Sequence, residues 1–146
     1  MFTPLKIAAA RRRSMRRGRM GQRRGAEIVE LAFALPIMSI IIFGTLELCE
    51  VIFVKQSLAV ATYEAGRMAG RPGTNSTMVR DRFENIMNDR RVSGATLTID
   101  PPEVAGATVG QVIRITGAAP VSGNSSSNMV LTGVPDIVEE VVFVRE

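Results

Sequence analysis

The chain holds little that could do covalent chemistry. It has no histidine and one cysteine, Cys49, so the commonest general base, the usual metal sites and any intramolecular disulfide are missing. Cys49 reads as a small apolar residue in a helix, with a bridge to another subunit as its other use. Asp100, Glu103 and Asp136 lie beside prolines and read as turn residues, and serines gather in a Gly-Asn-Ser-Ser-Ser-Asn stretch rather than beside a base. No enzyme, cofactor or metal centre is expected from such a set. The chemistry these residue types do support is the pairing of carboxylates. Glu30 stands five residues after Gly25 in an otherwise apolar run, Glu47 and Glu50 lie one helical turn apart, and Glu64 and Arg67 are spaced as an intrahelical surface pair.

The element that must position Glu30 and Glu47 is apolar. Leu31 to Leu46 is charge-free, and the run from Ile28 to Leu48 is interrupted only by Glu30 and Glu47. Its 21 residues as a helix measure roughly 31 Å, the thickness of a bilayer's hydrocarbon core. A soluble core helix would show a polar face at helical period, and Leu31 to Ile42 offers only Ser39 for one. Membrane insertion is therefore expected, with Pro36 tolerated as a kink. Residues 1–24 hold nine of the 18 lysines and arginines and no acidic residue, whereas Lys55 is the only cation in the twenty residues after Leu46. That asymmetry keeps the N-terminus in the cytoplasm and puts the chain beyond about residue 50 outside. Nucleic-acid binding is not expected, because the cations crowd into one arm without Trp or Tyr to stack on bases. A carboxylate at Glu30 costs several kcal/mol near the membrane unless it is neutralised or paired, or it sits hydrated among the headgroups with Glu27. For Glu47 and Glu50 a hydrated boundary is the simpler expectation, and pairing with a partner's basic residue the sharper one.

Beyond the span, Val51, Val54, Leu58, Ala61, Ala65 and Met68 recur at spacings of three and four, which predicts an amphipathic stalk ended by Gly70, Pro72 and Gly73. Met78 to Arg91 reads as a second helix capped by Asn75 or Thr77, with Val79, Phe83, Ile86 and Met87 on one side and an Arg80–Glu84 pair on the other. Ala95 to Asp100, Gln111 to Thr116 and Glu140 to Arg145 read as strands, and Gly117 to Asn128 as a flexible loop. The expected fold is α+β: one transmembrane N-terminal helix continuing as a stalk, a short helix, and a small antiparallel three-stranded sheet. The divisions are a basic cytoplasmic leader over 1–25, the transmembrane and stalk helix over 26–71, and a small extracytoplasmic domain over 72–146.

Arg23-Arg24-Gly25-Ala26-Glu27-Ile28-Val29-Glu30, a basic leader closed by Gly with Glu five residues on, resembles the processing site of type IV-like prepilins, in particular the Flp and TadE groups. Phe43-Gly44-Thr45-Leu46-Glu47 and Ala61-Thr62-Tyr63-Glu64-Ala65-Gly66-Arg67-Met68-Ala69 look like the blocks that close the span and the long helix in TadE-like pseudopilins. The resemblance covers roughly residues 23–71; Leu31 departs from it, since Tyr or Phe often follows the Glu in that family. It implies a prepilin peptidase cutting the Gly25–Ala26 bond, which would leave an α-amine on Ala26 to meet Glu30 of the same or a neighbouring subunit. It also implies a pilin-like architecture and a minor structural role in a tight-adherence secretion system that builds Flp pili. The partners would be the inner membrane, other pilin-like subunits and pilus assembly proteins, with Gly44, Glu47, Ala61 and Ala65 as candidates for close helix packing or assembly. The competing expectation is an unprocessed, single-pass, membrane-anchored binding domain unrelated to pili.

Overall fold

The computed structural model describes residues 17–126, 129–130 and 132–146; most of the basic leader and loop residues 127, 128 and 131 lie outside that description. Helix α1 runs over Arg17–Ala69, 53 residues with Pro36 inside, and the chain divides into two compact units, Met1–Ile42 and Phe43–Glu146.

In the first unit the large apolar side chains of the described residues stand exposed. Ile28, Leu31, Phe33, Ile37 and Ile41 are all exposed, Phe33 to 74 %. Only 11 % of the most apolar stretch is buried, which separates this helix from the core helix of a soluble protein. Ser39, the one polar side chain of its middle, donates its hydroxyl to the Leu35 carbonyl at 2.8 Å, so it needs no water.

The second unit is built on the other half of α1. Val54, Leu58, Ala61, Ala65 and Ala69 are buried, with Met68 packed at their edge, so the three-and-four stripe is the floor of a core. Above it lies an antiparallel sheet of β1 (Thr96–Asp100), β2 (Val112–Ala119) and β3 (Ile137–Val144) in the order β1-β2-β3. Strict alternation along β2 turns Ile113, Ile115, Gly117 and Ala119 inward. Ile115 is the register centre, opposite Ile99 on one side and Val141 on the other.

Helix α2 (Ser76–Asp89) closes the core with Val79, Phe83 and Met87. Asn75 is its cap, accepting the Met78 N–H at 2.9 Å. The helix stops two residues before the expected end because Arg91 takes a left-handed conformation, φ 55°, and Val92 N–H turns back to the Met87 carbonyl. Arg80 does not turn to Glu84; its guanidinium donates to the Leu97 carbonyl at 3.0 Å and ties α2 to β1.

Two expected boundaries move for one reason. Gly117, Ala118 and Ala119 belong to β2 rather than to a loop, which lets β3 start at Ile137, opposite Ala119. Small residues are required there because α1 passes close by: a Cβ on Gly117 would lie 2.4 Å from Thr62 Oγ1 and 3.1 Å from Leu58 Cδ1. Gly66 gives the same clearance on the helix side, under Phe143 and Val141, while Tyr63 meets the Phe143 ring edge-on at 5.6 Å.

The end of α1 is closed by a buried cation. Arg145 Nη1 donates to the Ala69 carbonyl at 2.7 Å, and Glu146 N–H to the Gly70 carbonyl at 2.9 Å. Positive charge is favoured at a helix C-terminus, where the last carbonyls lack helical partners.

Gly117→Ala should lower the stability of the detergent-solubilised protein by about 1–3 kcal/mol, since neither Thr62 nor Leu58 has room to yield. Ser57→Ala should raise it by about 1 kcal/mol, because the Ser57 hydroxyl is buried without a hydrogen-bond partner among the described residues. Thermal denaturation followed by circular dichroism measures both.

Candidate functional site at the two ends of the apolar helix

At the N-terminal end of the apolar stretch, Gly25 to Leu31 lies within α1 and is exposed throughout. A Cβ on Gly25 would meet nothing within 4 Å among the described residues. Ala26 and Glu30 stand four residues apart on one helix, one turn from each other.

At the outer end the carboxylates are engaged by the protein's own loop. Glu47 is only 2 % exposed, and its Oε1 accepts the Met129 N–H at 2.7 Å and the Val130 N–H at 3.1 Å. Oε2 is 3.0 Å from the same Val130 nitrogen. One turn on, Glu50 accepts from the Ser125 hydroxyl at 2.7 Å, the Ser126 hydroxyl at 2.5 Å and the Ser126 N–H at 3.1 Å. Against the hydrated boundary expected for this pair, Glu47 is buried on the loop's backbone donors, while Glu50 is half-buried and bonded by the loop's serines. Charged acceptors make such bonds stronger than neutral ones.

The loop is also fixed at its base. Asn124 donates its amide to the Ser93 carbonyl at 2.9 Å and the Pro120 carbonyl at 2.7 Å, and its Oδ1 accepts the Ser93 N–H at 2.7 Å. A segment of Gly, Asn and Ser that reads as flexible is therefore held from β2's end to α1. Nothing local in the sequence gives this away, since Glu50 and Ser125 are 75 positions apart. Between loop and helix runs an apolar groove of about 760 Å³ lined by Phe43, Leu46, Cys49 and Phe53, with Glu50, Asn124 and Ser126 along its polar edge.

Of the residues singled out for packing, Ala61 and Ala65 are fully buried beneath the sheet, and Gly44 is half-buried with Val130 Cγ1 3.5 Å from where its Cβ would stand. Outside the buried stripe, α1 carries Ile52, Phe53 and Val60, all exposed. Further along, Glu64 bonds Arg67 at 2.7 Å and reaches Arg82 of α2 at 3.4 Å. The Arg67 hydrogen bond, with help from Arg82, holds the Glu64 carboxyl below its ordinary range, so this link is present at neutral pH and is lost as the carboxyl protonates in acid.

The blocks that carry the resemblance thus lie on one helix, exposed at its start, tied to the loop at its middle and buried against the sheet at its end. The family model of TadE-like proteins matches residues 25–67. The helix is TadE-like. No curated protein and no solved structure matches the chain. The TadE-like segment starts at Gly25 and stops two residues before the end of α1, on the chain's one candidate membrane helix among the described residues.

Glu47→Ala should release the loop without unfolding the domain. Amide exchange at Met129 and Val130 should accelerate by about tenfold or more, the loss of a charge-assisted bond, while protection along β2 stays unchanged. Hydrogen exchange read by mass spectrometry resolves the two regions.

Proposed function

We propose that this chain is a minor pilin-like subunit of a tight-adherence secretion system, held in the inner membrane by α1 and acting in assembly of Flp-type pili rather than in catalysis. The reading rests above all on one observation: the TadE-like match falls on a helix whose large apolar side chains over residues 28–42 are exposed. Lipid is the environment that suits such a surface, and the charge asymmetry about it favours a cytoplasmic leader and an extracytoplasmic domain.

In this reading a prepilin peptidase recognises the basic leader and cuts Gly25–Ala26, where a Cβ on Gly25 would meet nothing within 4 Å among the described residues. The bond lies in helical backbone, so cleavage requires α1 to unwind locally at that point. The new α-amine of Ala26 then lies one turn from Glu30 and neutralises it, or neutralises the Glu30 of a neighbour, offsetting the cost of a carboxylate at the membrane. Other pilin-like subunits pack along the outer face of α1, through Ile52, Phe53 and Val60, because Ala61 and Ala65 are used within the domain.

Mass spectrometry of the membrane-extracted protein tests this against an unprocessed, membrane-anchored binding domain. Co-expression with the cognate prepilin peptidase should give a mature N-terminus at Ala26, and its omission should leave residues 1–25 in place. A chain that keeps its leader in the presence of active peptidase refutes the processing step.

A further inference from the structure

We propose that the loop carrying Met129 and Val130 is a second membrane contact, dipping into the outer lipid interface beside the point where α1 leaves the bilayer. The inference rests on the reading that Leu31 to Leu46 lies in lipid. It adds an element that the TadE-like match, which stops at residue 67, does not contain.

The loop's height along α1 is set by bonds. Glu47 receives the Met129 and Val130 N–H groups, and the Val130 side chain rests on Gly44. The charge-free run ends at Leu46, so the loop tip lies level with the last turn of that run. At that level Met129 is 69 % exposed and Val130 38 % exposed. The flexible thioether of Met129, left exposed, with the half-open Val130 side chain beside it on Gly44, is poorly suited to water and well suited to the acyl boundary.

The surrounding sequence fits the same environment. No charged side chain occurs between Arg114 and Asp136, the longest charge-free run in the chain. Leu131 follows the tip in sequence, with serines and asparagine before it and threonine and glycine after, residues tolerated among headgroups where carboxylates and ammonium groups on an inserted loop would resist entry. An apolar groove lined by Phe43, Leu46, Cys49 and Phe53 adjoins the loop at Asn124 and Ser126.

This arrangement also accounts for two carboxylates at a lipid boundary. Glu47 is shielded by the loop whose backbone it holds, and Glu50 is covered by Ser125 and Ser126. The acidic pair fixes an apolar tip in place, and that tip in turn keeps lipid off the acidic pair.

The test uses the full chain in vesicles of phosphatidylcholine and phosphatidylglycerol. With Cys49→Ser as background, single cysteines are placed by Met129→Cys, by Leu35→Cys within the span, and by Glu103→Cys beside Ser76, past the far end of α1. Each is labelled with bimane, and quenching is measured with doxyl groups near the lipid headgroup or deep in the acyl chain. The Met129 probe should be quenched by the shallow doxyl about twofold or more beyond the Glu103 probe, and the Leu35 probe by the deep one. Quenching at Leu35 with a Met129 probe indistinguishable from the Glu103 probe overturns the loop insertion and leaves the span intact. An unquenched Leu35 probe overturns the span itself, and the loop insertion with it.

Discussion

How closely α1 can lie on its sheet sets how well the second unit packs. The approach is made by absences: alanines at 61, 65 and 69, glycine at 66 on the helix, and glycine at 117 on the middle strand. Around those positions Leu58, Phe83, Ile113 and Ile115 join one buried cluster, close-packed as protein interiors are. The same helix serves two surroundings. Its earlier described turns expose large apolar side chains, while its later turns reserve one stripe for the sheet.

Much of this was legible because periodicity survives without context. The stripe from Val51 to Met68, the apolar side of α2 and the alternation in three strands each carry their period within a dozen or so residues. The strand continuing through Gly117, Ala118 and Ala119 was not legible, since these residues have the weakest strand preference, and only the passing helix explains them. The site divided along the same line. The exposed segment from Gly25 to Glu30 reads locally, whereas Glu47 and Glu50 find their partners some eighty residues later, and no spacing rule reaches that far.

Those two carboxylates change what the loop is. A run of Gly, Ser and Asn has little apolar surface to bury and pays heavily in entropy to become ordered. Here charge-assisted bonds at its middle and a satisfied asparagine at its base supply the order that packing does not. The acidic residues of the helix act as fixed posts, and the loop's composition matters because it offers many small donors near them.

Arg145 gives the domain a particular mechanical character. Its guanidinium joins the last turn of α1 to the end of β3, and the Phe143 and Val141 side chains lie along the helix just before that point. A load drawn along the helix reaches the sheet through contacts strained side by side, which must fail together, instead of peeling apart one after another. That buried cation gives the small domain a firm grip on the rod that carries it.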